Sequence, residues 1–223
     1  WVIAREEAIR LAEKGHEVLI LSSNAVKGKD EIAKPKEKIK KVSILRMPFT
    51  KLGGESFMYW DFEKNALDFS PDVIIAHNYR QLHTTAALKI AKKLRKNGKK
   101  CKVFLVTHAP FVEGDITRSL PEKIAVKIYD LLIGPITINK FDKILPISKW
   151  EIHHLLNLGV SKNKIAYVPN GIPEDFFKQK KSKEDNKILF LGRISQKKKL
   201  ETLIEAMSLI KNKKIKLEIV GPA

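Results

Sequence analysis

The chain has little cysteine and no excess of glycine or proline, and each shortage excludes a class of protein. Its 223 residues include a single cysteine, Cys101, so neither an internal disulfide framework nor a zinc cluster built on cysteines is available. The 11 glycines and 10 prolines are too few for a collagen-like or low-complexity chain, so we expect a folded protein. Cys101 lies in an apolar run, where we predict a buried structural thiol.

Long apolar runs are missing as well. The sequence has no recognisable signal peptide and no uninterrupted apolar stretch long enough to cross a bilayer. We therefore expect a cytoplasmic protein, either free or peripheral on the inner face of the cell membrane.

Basic residues, in contrast, are abundant. Lysine and arginine number 43 against 25 aspartates and glutamates, which gives a formal net charge of +18. Such a balance favours anionic partners, namely nucleotides, nucleic acid or an acidic membrane surface. The lysines are spread in short clusters that are typical of solvated helix and loop faces, so a dedicated nucleic-acid site is not expected.

Strand and helix patterns alternate along the chain. Short apolar runs predict strands at 18–21, 42–47, 73–76, 103–106, 143–146, 165–168, 187–191 and 217–220. Helical spacing of apolar residues predicts helices at 4–14, 82–96, 121–138, 148–157 and after 199. Gly134-Pro135 predicts a kink or break in the third helix, and Ser148 to Glu151 has the form of a capping box. The alternation predicts an α/β fold with a doubly wound parallel sheet.

The alternating pattern lapses once, which predicts a domain boundary. Residues 170–186 combine a turn signal with a run of charges and are predicted to link an N-terminal domain, 1–169, to a second domain that begins at 187 and continues to 223. The first domain lacks an opening strand, and the second has only two strands and one helix. We therefore expect the chain to be an internal portion of a longer two-domain protein.

One segment near the end of the chain is suited to binding an anion. An apolar strand leads through Gly192-Arg193 and a lysine cluster into an amphipathic helix. A strand that ends in a glycine turn before a helix brings backbone N–H groups and the helix dipole to one point. Arg193 can hold a phosphate through two parallel hydrogen bonds, and Lys197 or Lys198 can add a point charge. The glycine spacings of a Walker loop and of a dinucleotide fingerprint are absent.

Several motifs, in order along the chain, resemble the retaining glycosyltransferases of family 4, which have the GT-B fold. The resemblance is carried by Pro71-Asp-Val-Ile-Ile-Ala-His77, by Thr107-His108, and by Val168-Pro-Asn-Gly-Ile172 followed by Phe176. It continues through Gly192-Arg193, Lys198 and Leu203-Ile-Glu-Ala206. The chain departs from the pattern at Lys199, where the family usually has a glycine.

The resemblance implies two Rossmann-like domains and the transfer of a sugar from a nucleotide-diphosphate donor to a glycan, lipid or small-molecule acceptor. It implies retention of anomeric configuration, a donor held between the domains, and a phosphate site at Gly192, Arg193 and Lys198. No tightly bound cofactor is expected, and no protein-bound metal. The chain by itself is expected to bind donor weakly and not to turn over.

His108 is the leading catalytic candidate, since it follows directly after a predicted strand. Ligands of open α/β sheets bind outside the carboxyl ends of the strands, and a histidine there can hydrogen-bond a sugar hydroxyl or stabilise charge. His77, also at a strand end, is a candidate for the acceptor side of the cleft or for a structural role. Asn170 and Gly171 are predicted to form a turn. The resemblance implies that this turn lies near the cleft.

Two other functions stay open at this point. A basic, non-catalytic module for nucleic acid or an anionic membrane explains the net charge of +18 directly, but it does not explain the ordered motifs. A different GT-B enzyme, such as a sugar-nucleotide epimerase, is the further alternative. Glu113 and Asp115 form a nearby carboxylate pair without a supporting pattern.

Overall fold

Helices and strands alternate along the chain, and they fall into two units. The computed structural model describes residues 2–26, 31–53, 57–111, 119–178 and 185–222, with the backbone alone at 197. One unit comprises Trp1–Glu113 and Pro121–Gly171, and the other comprises Gly114–Leu120 and Ile172–Ala223. The domain ranges 1–169 and 187–223, with a linker at 170–186, stay a prediction.

The first unit contains eight strands among the residues described. They are β1 (Leu19–Ser23), β2 (Lys36–Ile39), β3 (Val42–Met47), β4 (Thr50–Gly53), β5 (Phe57–Tyr59), β6 (Val73–His77), β7 (Lys102–Val106) and β8 (Lys143–Leu145). The helices are α1 (Val2–Glu13), α2 (Glu63–Phe69), α3 (Leu82–Lys96), α4 (Leu120–Ile128), α5 (Gly134–Ile138) and α6 (Glu151–Asn157). The predicted strands at 42–47, 73–76 and 103–106 and the helix at 82–96 are confirmed within a residue.

Two sheets organise this unit. In one, β7 lies between β6 and β8, and all three strands are parallel. In the other, β3 pairs in parallel with β1 and antiparallel with β2. The short strands β4 and β5 form a separate antiparallel hairpin. The pattern did not predict β2 or the hairpin, because β2 and β4 are largely exposed and carry no apolar run, and the apolar run of β5 is only three residues long.

The core surrounds the β6–β7–β8 sheet. Val103, Leu105 and Ile144 are completely buried in it. Helix α3 covers the sheet with a stripe at helical spacing, formed by Ala87, Ile90, Ala91 and Leu94. Cys101 is buried in the same cluster, and burial raises the pKa of its thiol. The predicted structural thiol is therefore confirmed.

The predicted helix at 121–138 is present, with its irregularity in a different form from the expected break. A π-helical turn, Tyr129–Ile133, joins α4 to α5, and Pro135 lies in the first turn of α5. Proline has no N–H for the helical hydrogen-bond ladder, and a π turn widens the helix just where that bond is missing. No helix in the described ranges is long and apolar enough to cross a membrane.

The predicted strand at 165–168 forms one parallel bridge and two backbone hydrogen bonds with the β8 segment, rather than a regular strand. Ile165 forms a parallel bridge with Ile144, and the amide of Ala166 donates to the carbonyl of Ile144 at 2.9 Å. The amide of Val168 donates to Pro146 at 3.0 Å. The segment thus follows the edge of β8 without forming a regular ladder.

The second unit contains two parallel strands, β9 (Lys187–Leu191) and β10 (Lys216–Val220), and helix α7 (Leu200–Ser208). The strands meet closely at their carboxyl ends. A Cβ on Gly221 would lie 1.8 Å from the carbonyl oxygen of Gly192, so only glycine fits this approach.

Lys199, which stands where the family usually has glycine, adopts the left-handed conformation. Its φ of 51° and ψ of 43° lie between a 3₁₀ turn (Gln196–Lys198) and the first turn of α7. A residue with a Cβ loses roughly 1–2 kcal/mol in this region, whereas glycine does not.

We predict that Lys199→Gly stabilises the second unit, because it removes this backbone strain. The free energy of unfolding should rise by about 0.5–1 kcal/mol, which chemical denaturation can measure. Lys213→Gly is the matched control, since Lys213 is also an exposed lysine but lies outside the left-handed region. The Lys213→Gly variant should be destabilised. Equal effects of the two substitutions on the free energy of unfolding would contradict backbone strain at Lys199.

Candidate functional site

Three loops meet at the carboxyl edge of the β6–β7–β8 sheet. The register pairs His77 with Val106 and Val106 with Leu145, so the three parallel strands end side by side. The loops that follow carry His108 after β7 and Pro146 to Ser148 after β8. This edge is where open α/β sheets bind ligands.

The two candidate histidines of this edge are in direct contact. The Nδ1 atom of His77 lies 2.9 Å from the Nε2 atom of His108, which is hydrogen-bond distance. Their ring centroids are 5.2 Å apart and the rings are tilted by 34°. On the other side of His77, the Nε2 atom lies 3.7 Å from a carboxylate oxygen of Glu7 in α1. The sequence predicted both histidines but not their pairing.

The loops have an unusual backbone conformation. His108 and Ala109, in the loop after β7, have φ values of 58° and 52°. Asn78 and Arg80, in the loop after β6, have φ values of 72° and 67°. Residues with a Cβ reach this region only where the surrounding structure holds them, at a cost of about 1–3 kcal/mol each. Such strain is found often at functional sites.

A buried carboxylate holds the His108 turn. Glu151, at the start of α6, is 0% exposed. One of its oxygens accepts hydrogen bonds from the Thr107 hydroxyl and, at 2.9 Å, from the Ala109 amide. The other oxygen accepts from the amides of Ile147 and Ser148, both at 2.9 Å. Glu151 therefore binds the residues on either side of His108 and ties them to the loop after β8.

Sequence reasoning found Glu151 only as half of a capping box. The Glu151 carboxylate does accept from the Ser148 amide, but no side-chain hydrogen bond from a cap residue to the start of α6 is formed in return. The signal that could have located the site was a charged residue among the apolar positions of a short helix, because an acid is buried only when it is fully hydrogen-bonded.

An ion pair fixes the loop after β6. The guanidinium of Arg80 pairs with Asp130 through both carboxylate oxygens, at 2.7 Å from its Nε atom, and donates to the Pro110 carbonyl at 2.7 Å. It also lies over the rings of Tyr79 and Phe111, at 5.1 and 5.5 Å from their centroids. Arg80 thus fastens the π turn of the 120–138 helix to this edge.

Burial keeps the histidines of the edge neutral. It lowers the pKa of His77 to about 4, with His108 and His83 contributing in the same direction. Burial also lowers the pKa of His108, against a smaller opposing effect of Glu151, and lowers the pKa of His83. At neutral pH each ring therefore has one N–H group and one lone pair.

The predicted phosphate residues lie together in the second unit. Gly192, Arg193 and Lys198 are on the loop between β9 and α7. The loop is fastened to the end of β10, since the amide of Gly192 donates to Val220 at 3.0 Å. Arg193 and Lys198 are exposed, and neither forms an ion pair within the described part of the chain.

The remaining candidate residues have no defined place in the histidine site or in the loop between β9 and α7. Asn170 and Gly171 are exposed, neither has a left-handed φ, and the predicted turn is not formed at these residues. Glu113 and Asp115 lie outside the described residues. In the described ranges, no group of three or more His, Cys, Asp or Glu side chains is placed to hold a metal ion.

Comparison with known proteins identifies the family. The chain belongs to glycosyltransferase family 4, whose model matches residues 2–176. A second model, described as glycosyl transferases group 1, matches residues 171–223. A comparison with curated proteins found no match.

A solved structure shares the fold. Sucrose-phosphate synthase from Thermosynechococcus elongatus is similar with a TM-score of 0.58 at 14% sequence identity, over 99% of this chain and 56% of that protein. The chain therefore spans little more than half the length of this structural relative. At this identity the likeness concerns the fold alone, and it confirms the predicted GT-B type with Rossmann-like parallel sheets.

We predict that Glu151→Gln destabilises the first unit and disturbs the His108 turn. An amide has one oxygen, so in either orientation its NH2 group faces at least one backbone N–H donor, that of Ala109 or those of Ile147 and Ser148. The loss should be about 3 kcal/mol in the free energy of unfolding. Glu17→Gln, at an exposed position of the same unit, is the control and should change little. A Glu151→Gln variant as stable as wild type would contradict the role of Glu151 in holding the His108 turn.

Proposed function

We propose that the full-length protein transfers a sugar from a nucleotide-diphosphate donor to a carbohydrate, lipid or small-molecule acceptor, with retention of anomeric configuration. Membership of glycosyltransferase family 4 supports the class of reaction. The observation that carries the proposal is the neutral His108 held on a strained turn at the carboxyl edge of a parallel sheet. A preorganised side chain there can hydrogen-bond a sugar hydroxyl without reorganising during the reaction.

We propose that the loop between β9 and α7 binds the donor diphosphate. In glycosyl transfer from such a donor, negative charge develops on the leaving diphosphate. Arg193 and Lys198 are exposed cations without an ion-pair partner in the described ranges, so no internal carboxylate competes with a phosphate for them. Arginine suits the paired oxygens of a phosphate, and lysine adds a point charge.

The chemistry proposed for these residues involves no tightly bound cofactor. The donor itself supplies the activated sugar, and the leaving group is neutralised by side chains of the protein. His77, Asn170 and Gly171 are proposed to be near the acceptor, with His77 the best placed of the three because it contacts His108 directly.

We predict that the full-length protein releases free nucleoside diphosphate from one member of a panel of nucleotide sugars. Arg193→Ala and Lys198→Ala should each lower kcat/KM for that donor by about tenfold or more, because each removes a charge-assisted hydrogen bond to the leaving group. Lys211→Ala, an exposed lysine of the same unit, is the control. The anomeric configuration of the product, read by NMR, tests retention.

Three outcomes would count against this function. Donor turnover that Arg193→Ala and Lys198→Ala leave unchanged would contradict the phosphate site. Absence of release with every donor, together with tight and salt-sensitive binding of nucleic acid, would favour the basic-module alternative. Conversion of the nucleotide sugar without transfer would favour an epimerase.

We also propose that the enzyme docks on an anionic membrane through the helix at 120–138. Six large apolar side chains along this helix are all at least half exposed: Ile124, Ile128, Leu131, Leu132, Ile133 and Ile136. The second half of the helix is attached to the first unit, since Asp130 pairs with Arg80 and Ile138 is buried in the core. An exposed apolar set of this size is typical of an interaction surface.

The charge around these apolar side chains fits a lipid surface. Lys123 and Lys127 lie on the same helix and have no ion-pair partner in the described ranges. The whole chain carries a net charge of +18. An apolar face bordered by lysines is the arrangement of helices that lie in the interface of anionic bilayers.

We predict that the protein binds vesicles containing phosphatidylserine and not vesicles of phosphatidylcholine alone. The double variant Leu131→Ser/Ile136→Ser should weaken this binding by tenfold or more, since each side chain loses about 1.5–3 kcal/mol of burial. The control is Leu209→Ser, which is 82% exposed but lies in the other unit. Vesicle binding that is the same with and without anionic lipid, and the same for the wild type and the double variant, would contradict docking at this helix.

A further inference from the structure

We propose that His77 is a positioning residue that fixes the tautomer of His108, so that His108 presents a hydrogen-bond acceptor, its Nδ1 lone pair, to the substrate. This inference rests on the proposed function of His108 and adds the direction of its hydrogen bond. The geometry that carries it is the row of contacts from Glu7 through His77 to His108.

The contact between the rings requires one donor and one acceptor. Two ring nitrogens at 2.9 Å form a hydrogen bond only when one has a proton and the other a lone pair. Because both rings are neutral at neutral pH, either His77 Nδ1 or His108 Nε2 carries the proton between them. The environment of His77 decides which.

Glu7 sets the tautomer of His77. One oxygen of its carboxylate is 3.7 Å from His77 Nε2 and its side chain is 34% exposed, while burial raises the pKa of the carboxyl group. A carboxylate attracts an N–H group and repels a lone pair. The proton of His77 therefore resides on Nε2, and the Nδ1 lone pair faces His108.

The other titratable neighbour of His77 leaves this assignment unchanged. His83, in α3, donates from Nε2 to the backbone carbonyl of His77 at 2.7 Å and so makes no contact with the His77 ring nitrogens. Its ring lies against Trp60, with centroids 4.6 Å apart. Glu7, His83 and His108 are the titratable side chains that act on His77 within the described ranges.

The consequence concerns His108. Its Nε2–H group donates to His77, and a neutral imidazole has no second N–H group. The Nδ1 atom keeps a lone pair and makes no hydrogen bond to any residue described. A sugar hydroxyl that approaches this atom would therefore be the donor. Protonation of His108 would remove the acceptor.

The test is NMR on the full-length protein labelled with ¹⁵N-histidine, which needs no substrate. We expect a scalar coupling across the hydrogen bond between His108 Nε2 and His77 Nδ1, with the proton attached to His108. A proton attached to His77 Nδ1, or a lack of coupling between the rings, would overturn the assignment. Because the donor plays no part in this measurement, its result is independent of the transferase assay.

Two variants separate positioning from folding. His77→Asn leaves an amide oxygen near the position of Nδ1, and His77→Leu leaves no acceptor. We expect the asparagine variant to keep the protected Nε2–H signal of His108 and to rescue kcat/KM, while the leucine variant loses the signal and about tenfold in kcat/KM at unchanged stability. His153→Leu, at an exposed position, is the control. Equal activity of the two His77 variants would overturn the positioning role.

Discussion

The buried carboxylate of Glu151 is the contact on which the candidate site depends. A carboxylate without exposure is stable only if its oxygens are fully hydrogen-bonded, and Glu151 meets this condition with donors from two loops. The same bonds hold Thr107 and Ala109, and so hold His108 in the left-handed conformation between them. The cost of burying a charge and the strain of the His108 turn are thereby offset by one set of hydrogen bonds.

Much of the fold followed from the sequence, because local patterns decide it. The strands β3, β6 and β7 are short apolar runs, and α3 carries an apolar stripe at helical spacing. The burial of Cys101 followed from its place in such a run. Ordered motifs placed His77 and His108 at the ends of adjacent parallel strands, which is where the structure has them.

The rest could not be predicted, because it depends on residues far apart in the chain. Glu151 is 44 positions from Thr107, and His77 is 31 positions from His108, so no periodicity links them. Lys199 shows a different limit: the sequence marked it as a departure from a family pattern, but only the backbone reveals the left-handed conformation that a glycine would favour. In the β4–β5 hairpin, β4 is exposed and has no apolar pattern, and β5 is an apolar segment of only three residues, too short to predict a strand.

The most direct test of the whole account is a crystal structure of the full-length protein with a bound nucleotide-diphosphate sugar. The account predicts a sugar hydroxyl within hydrogen-bond distance of His108 Nδ1, the diphosphate on Arg193 and Lys198, and the Glu151 hydrogen bonds intact. A donor sugar bound away from His108, or a diphosphate that touches neither cation, would contradict it.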